Sequence, residues 1–391
     1  MQKVMVGLSG GVDSSVAAYL LKQQGYEVAG LYMKNWEDST FTLMSDCSYQ
    51  EDRDMAEMVA SHLDIPFHEV DLVRPYRERI VDYLFAEYRR GRTPNPDVLC
   101  NREIKFDLFA QEAFRLGADK VATGHYARLQ YDEAALQYRL LAGKDPGKDQ
   151  SYFLAQLTQQ QLAFSLFPVG ELHKSQVRRI AGEIKLPTAQ RKDSQGICFV
   201  GKVSLPEFLQ QRLEPQEGAI VEIPASFFHS HDIQDETVDD LEYLCKPQAL
   251  QASAGQEVGT HRGAHFFTVG QRKGLNVGGT GEPLFVIATD TGQNIVYVGR
   301  GKQFPGLFRP GLFMQKGDVH WIRPDRQPDE GASLKVKARI RYRQPLQQAT
   351  LYHREKGYYL VFEEAQRAIA PGQFAAWYHG DEILGSGIIA E

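Results

Sequence analysis

Cysteine is scarce in this chain. There are four in 391 residues, at positions 47, 100, 198 and 245, and no two of them form a C-x-x-C pair. Such spacing argues against a disulfide framework or a compact zinc site, and leaves each thiol as inert core or as a reactive group. Long apolar runs are missing as well: none reaches the ~18 residues of a membrane span. The first residues enter a strand-like run without the charged-then-apolar order of a secretion signal, so a cytoplasmic protein without a membrane partner is expected. Excess positive charge is also lacking. The balance is −6, which argues against a general polyanion binder and confines any nucleic-acid surface to a local patch. No internal repeat is visible. The remaining composition is that of an ordinary globular protein, and 391 residues exceed one average core, so two or three domains are expected.

The most informative stretch is Val4-Met5-Val6-Gly7-Leu8-Ser9-Gly10-Gly11-Val12-Asp13-Ser14-Ser15. A short apolar run ends in a glycine turn that opens onto a helical pattern. Glycines let backbone N–H groups approach an anion, and the helix N-terminus adds partial positive charge, so pyrophosphate is the natural occupant. The Lys of a Walker A loop is absent, so a grip on a γ-phosphate is not indicated. The Ser-Gly-Gly-x-Asp-Ser order resembles the loop of the ATP pyrophosphatase superfamily, which splits ATP between the α- and β-phosphates and adenylates a substrate.

Strand-like and helix-like segments alternate through the first third. Helices are expected at 14–24, 51–63, 74–90 and 106–116, and strands at 26–33, 66–70 and 120–123. This order predicts a doubly wound α/β domain with a parallel sheet and a ligand at the carboxyl ends of its strands. From about residue 204, short strands separated by Gly and Pro take over, at 219–223, 265–269, 284–289 and 295–298. A further set at 334–343, 358–362, 374–378 and 382–389 suits a small barrel. Domains are therefore expected over 1–204, 205–304 (a central β-rich domain) and 305–391 (a C-terminal β-barrel). An acidic segment, 225–255, reads as an insertion with a solvated face.

Cys100 follows Thr93-Pro94-Asn95-Pro96-Asp97-Val98-Leu99, a stiff polar loop of the kind that presents side chains beside a cleft. Asp97 is close enough in sequence to act on the same substrate. Cys198 lies in Ser194-Gln195-Gly196-Ile197-Cys198-Phe199, whose apolar flanks equally suit a core strand. Cys47 and Cys245 have no comparable setting. In 334–343, Lys335, Lys337, Arg339, Arg341 and Arg343 alternate with apolar residues, so an extended strand would put all five cations on one face. Five like charges favour a polyanion partner over simple edge protection. Arg89, Arg90 and Arg92 either extend that surface or cap a helix end. His261, His265, His229 and His231 lack a ligand cluster at metal spacing, and no metal site is expected from them.

Taken together, these motifs resemble the tRNA-specific 2-thiouridylases, which place sulfur on the wobble uridine of tRNA. The resemblance runs through 9–15, 93–101, 122–128, 147–154, 194–199, 267–275, Arg341-Tyr342 and 371–389. It implies ATP, accompanied by magnesium, held by Gly7, Leu8, Ser9, Gly10, Gly11, Val12, Asp13, Ser14, Met33 and Gly124. Asn95, Pro96 and Asp97 would meet the target base, and Lys148, Asp149, Gln150, Arg341 and Tyr342 would contact tRNA. It further implies a persulfide on Cys198, supplied by a sulfur-relay protein, with Cys100 as its partner and Asp97 as an acid or base. An alternative within the same chain is an iron–sulfur cluster on Cys100, Cys198 and Asp97. A monomer is expected.

Overall fold

A computed structural model describes residues 1–36, 48–192, 205–228, 238–279 and 281–391. Cys47, Cys198, His229 and His231 lie outside the described residues. The first strands are β1 (Lys3–Gly7), β2 (Glu27–Lys34), β3 (Phe67–Asp71), β4 (Lys120–Ala122), β5 (Ala127–Asp132), β6 (Gln137–Ala142) and β7 (Ser165–Leu166). Val4, Met5 and Val6 are fully buried. A strand apolar on both faces belongs at the centre of a parallel sheet, and the order is β3-β2-β1-β4-β7, parallel throughout. Met5, Leu31 and Val121 feed one core, and Val4, Val6 and Ala122 feed the other, so both faces are covered. The chain winds outward from β1 to β3 and then returns to β4 on the other side. The crevice at this reversal, above β1 and β4, is where such folds bind ligands.

Helix α1 (Val12–Gln23) and helix α2 (Ser48–His62) match the expected periodicity. Gly25, at φ +86°, closes α1 in the left-handed conformation typical of a helix end. The expected helix at 74–90 is interrupted by a π-turn at Arg77–Val81. The one expected at 106–116 begins much earlier. Helix Pro96–Cys100 runs through a π-helical stretch, Asn101–Leu108, into Phe109–Arg115. There Gln161 donates its side-chain amide to the carbonyls of Arg102 (2.9 Å) and Phe106 (3.0 Å), satisfying acceptors that the widened turn exposes.

The central sheet comprises β8 (Gly218–Glu222), β9 (Gln256–His261), β10 (Leu284–Asp290) and β11 (Ile295–Arg300), in the order β10-β11-β8-β9. The strand expected at 265–269 does not form. Gly263 (φ +136°) and Gly270 (φ +86°) bracket it, and the chain makes a short 3-10 turn at Ala264–Phe266 instead.

The C-terminal strands are β12 (Phe308–Gln315), β13 (Val319–Trp321), β14 (Ser333–Arg339), β15 (Gln347–Arg354), β16 (Gly357–Arg367), β17 (Phe374–His379) and β18 (Glu382–Ile388). They form a barrel sheet around fully buried Trp377, Leu312, Leu351 and Leu360. The hairpin β5–β6, which the sequence reading left without strands, leaves the first domain and extends this sheet beside β18. The strand expected at 334–343 stops at Arg339, and a turn follows in which Gln344 N–H donates to Arg341 O (3.2 Å). The five cations therefore do not share one exposed face. Lys335 and Lys337 are exposed, whereas Arg339 is buried. Nor is the acidic segment wholly solvated: helix Val238–Cys245 buries Leu241 and Cys245 against the barrel, and Glu242 pairs with Lys356 (2.6 Å). Arg92 is drawn to the buried carboxylate of Glu87 (2.7 Å), whereas Arg90, 3.6 Å from it, and Arg89 stay exposed.

Candidate active site

The glycine loop leaves β1 at the crevice. Leu8 N–H donates to Leu31 O (3.0 Å), and the Ser9 and Ser14 hydroxyls lie 3.2 Å apart. Ser14 and Ser15 hydroxyls both bond to Gly11 O, at 3.1 and 2.8 Å. These bonds fix the turn and leave the first N–H groups of α1 without intrahelical acceptors, the arrangement an anion needs. Gly124, just after β4, closes on the same helix end. A Cβ there would stand 2.6 Å from Ser14 N, so only glycine leaves that amide reachable. Gly10 sits at φ +71°, and a side chain there would meet Asp52 O at 2.4 Å. Met33 lies near the end of neighbouring β2, half-buried.

Three residues that the sequence reading did not single out complete this corner. Lys174 donates to both carboxylate oxygens of Asp13, each at 2.7 Å, and Tyr126 OH donates to one of them at 2.7 Å. Arg191 donates to Gly10 O (2.9 Å) and pairs with Asp52. Lys174 and Arg191 thus set positive charge beside the loop, which the absence of a Walker Lys had left unsupplied. Each is a lone cation remote from the loop in sequence, so no local pattern marks them.

The Asn95 loop leads into the helix that carries Cys100. Asn95 caps its helix by accepting from Val98 N–H (3.3 Å), and Pro96 supplies the preset first turn. The barrel holds the approach to it: Thr93 N–H donates to Pro371 O (2.8 Å), and Gln373 donates to Thr93 O (2.9 Å) and Pro94 O (3.2 Å). The Thr93 hydroxyl donates to that of Thr268 from the central domain (3.1 Å). Asn95 and Asp97 are half-buried, and Pro96 is buried.

Cys100 is a free thiol, 1% exposed, within the core on one face of the parallel sheet. Burial pushes its pKa up. The Lys105 ammonium and a Tyr76 hydrogen bond oppose that rise, while Asp97 adds to it. Lys105, on the π-helical stretch, also acts with burial to hold His125 well below the usual imidazole range, so His125 is neutral. His125 Nδ1 lies 2.7 Å from the Thr123 hydroxyl, one residue past Gly124. The Lys105 charge thus acts on both Cys100 and His125.

Two described residues near the stretch that holds Cys198 have defined anchors. Arg191, before it, grips Gly10. Phe208, after it, packs on Phe85 (centroids 5.3 Å apart) and Trp36 in the same core cluster as Cys100.

Among the tRNA candidates, Tyr342 packs on Phe153 (ring centroids 4.3 Å apart) and Arg341 donates to Ala368 O (2.8 Å). Lys148, half-buried in the loop after β6, accepts at its carbonyl from the Tyr342 hydroxyl (3.4 Å). The Asp149 carboxylate is fully engaged: one oxygen accepts from Gly143 and Ser151 N–H, both 3.0 Å, and the other pairs with Arg339 at 2.5 Å. Gln150 Oε1 accepts from Tyr126 N–H (3.0 Å). Asp149 and Gln150 thereby shape their loop and tie it to the barrel and, through Tyr126, to the corner at Asp13. His261 is buried and its Nδ1 accepts from Gly263 N–H (2.9 Å). His265 is half-buried against Phe266. Among the described residues no three His, Cys, Asp or Glu side chains group as metal ligands, and no helix is long and apolar enough to cross a membrane.

Comparison with known proteins accounts for all three regions. The model of the tRNA methyl transferase HUP domain matches residues 2–202, that of the tRNA methyl transferase PRC-barrel domain matches 246–300, and that of the aminomethyltransferase beta-barrel domain matches 313–389. The chain is 58% identical over 395 residues to the tRNA-specific 2-thiouridylase MnmA of Christiangramia forsetii, with all of both chains covered. It is 55% identical to that of Flavobacterium johnsoniae, again covering all of both chains. Identity to that of Karelsulcia muelleri is 42%, covering 100% of this chain and 99% of the relative. Full-length identity at this level, over a HUP-type α/β domain, a PRC-barrel domain and a terminal barrel, makes the chain a member of the tRNA-specific 2-thiouridylase family, tRNA sulfurtransferases.

Proposed function

We propose that the protein replaces the 2-oxygen of the tRNA wobble uridine with sulfur, in an ATP-dependent reaction carried by Cys198 and Cys100. The observation that carries this reading is the tethering described above. The residues on either side of the Cys198 stretch are fixed at Gly10 of the glycine loop and in the core that holds Cys100.

In the proposed sequence, the uridine 2-oxygen attacks the α-phosphorus of ATP and pyrophosphate leaves. The poor leaving group becomes AMP. The glycine loop, the Ser14 amide and Lys174 suit the negative charge of the departing pyrophosphate. Magnesium would enter with the triphosphate and need few protein ligands. A persulfide on Cys198, delivered by a sulfur-relay protein, attacks C2 with its terminal sulfur, and AMP departs. The Cys100 thiolate then attacks the inner sulfur of Cys198. The S–S bond to the base breaks, 2-thiouridine is released, and a Cys100–Cys198 disulfide remains for a cellular thiol to reduce. Asn95, Pro96 and Asp97 face the target base, with Asp97 as proton donor or acceptor. Because Cys100 is buried and its thiol form favoured, the last step requires its cover to open when tRNA binds.

Cys100→Ser and Cys198→Ser, assayed separately for thiolated tRNA with ATP and a persulfide donor, test this. Each is expected to abolish turnover, with Cys100→Ser retaining ATP-dependent adenylation. Full thiolation by either variant would overturn the mechanism.

A further inference from the structure

The turn that follows the failed strand at 265–269 meets the barrel where two guanidinium groups converge. Gly270 adopts φ +86°, and a Cβ built there would lie 3.6 Å from Nη2 of Arg341 and 3.8 Å from Nη1 of Arg367, with the Ala368 Cβ at 2.5 Å. Both guanidinium groups thus reach the same side of the Gly270 turn, where the Ala368 methyl packs against the glycine. Arg341 donates to Ala368 O (2.8 Å) and Val269 O (3.4 Å), and Arg367 lies over the Phe285 ring, 4.9 Å from its centroid. Neither is paired with a carboxylate among the described residues. Arg341 is half-buried, and burial together with the Arg367 charge pulls its pKa down. Two like charges held together and partly dried, with no counter-charge, are costly unless an anion joins them.

We propose that Arg341 and Arg367, converging at the Gly270 turn, bind a backbone phosphodiester of the tRNA strand whose base enters beside Asn95. The proposal rests on the thiolation reading for the identity of the nucleic acid; the site itself rests on geometry. Its position fits a strand threading toward the target base. Thr268, two residues before Gly270, and Gln373, six after Arg367, both hold the Thr93–Pro94 approach to Asn95. The Phe153–Tyr342 ring pair adjoins Arg341 and offers a stacking surface. Arg272 and Lys273 are exposed on the same turn and continue the positive charge outward. Planar guanidinium forks suit the paired oxygens of a phosphodiester. Arg367 is the new assignment.

Labelled tRNA, titrated against the full-length wild type, Arg367→Gln and Arg367→Lys across a salt series, tests the site. Arg367→Gln should weaken binding on the order of tenfold and lower the salt slope by nearly one unit. Arg367→Lys should keep the slope, because the charge remains. ATP affinity, measured on the same samples, should be the same in all three proteins. Unchanged tRNA affinity and slope in a folded Arg367→Gln variant would overturn the proposal, as would a lost slope in Arg367→Lys. A fall in ATP affinity with intact tRNA affinity would assign the pair to nucleotide and overturn it too. Wild-type protein that fails to bind tRNA would instead overturn the thiolation reading.

Discussion

At the scale of single residues, protonation and burial set the state of the site. Cys100 is held as a thiol by burial, and His125 is held neutral by burial and by Lys105. The two shifts have opposite consequences for stability. The raised Cys100 pKa stabilises the fold fully below the ordinary thiol value, and that contribution is lost as pH rises toward its folded value. The depressed His125 pKa stabilises above the ordinary imidazole value, and that contribution is lost as pH falls. Thermal melting across pH should therefore show a plateau near about pH 7–8 with a fall on each side. Cys100→Ala is expected to make the alkaline limb shallower without removing it, because burial raises the Cys245 thiol as well, and an alkaline limb identical to the wild type would contradict the assignment. The glycine turn that opens onto α1 was legible because its chemistry is local. The Asn95 cap was not: 93–99 reads as a stiff loop, whereas Pro at the first helical position lets Pro96–Cys100 coil under the Asn95 side chain. Lys174, Arg191 and Lys105 were not legible, since each acts on a residue brought near only by the fold.

At the scale of elements, the parallel sheet was legible from apolar runs such as 4–6, because a strand buried on both faces has few alternatives. The hairpin β5–β6 was not. Its alternation Ala127 to Asp132 is half polar, and it gains its place from pairing with β18 far along the chain. An ion-pair cluster holds that join. Glu382, 3% exposed, accepts from Arg323 at 2.6 Å and from Arg139 of β6 at 2.9 Å. Glu382→Gln should cost about 1–3 kcal/mol: Arg323 keeps the Asp325 carboxylate, at 2.8 and 2.7 Å, but loses one charged acceptor, as does Arg139. A thermal midpoint within a degree or two of wild type would show that the cluster is not what secures the hairpin. The basic ribbon failed for a related reason. A period of two places all five cations on one face only while the strand continues, and here Asp149 draws Arg339 inward where the strand ends. What was read as a surface for tRNA is in part a joint between domains, and the Arg341–Arg367 pair emerges at its edge.

At the scale of the whole molecule, three regions meet around one short loop. The first domain supplies Asn95 and Cys100, the central domain touches Thr93 through Thr268, and the barrel grips Thr93 and Pro94 through Gln373. A ligand spanning the barrel and the central domain would touch both supports of the Thr93–Pro94 loop that leads to Cys100. The three-part architecture could be foreseen from changes in composition along the chain. The convergence of the parts could not, because the contacts joining them span 175 to 280 positions. The most direct test of the central claim is mass spectrometry of nucleosides from unmodified tRNA incubated with the protein, ATP, magnesium and a persulfide donor. The account requires 2-thiouridine at the wobble position, formed only when ATP is present and accompanied by AMP. Uridine left unchanged under those conditions, or sulfur incorporated without ATP, would contradict it.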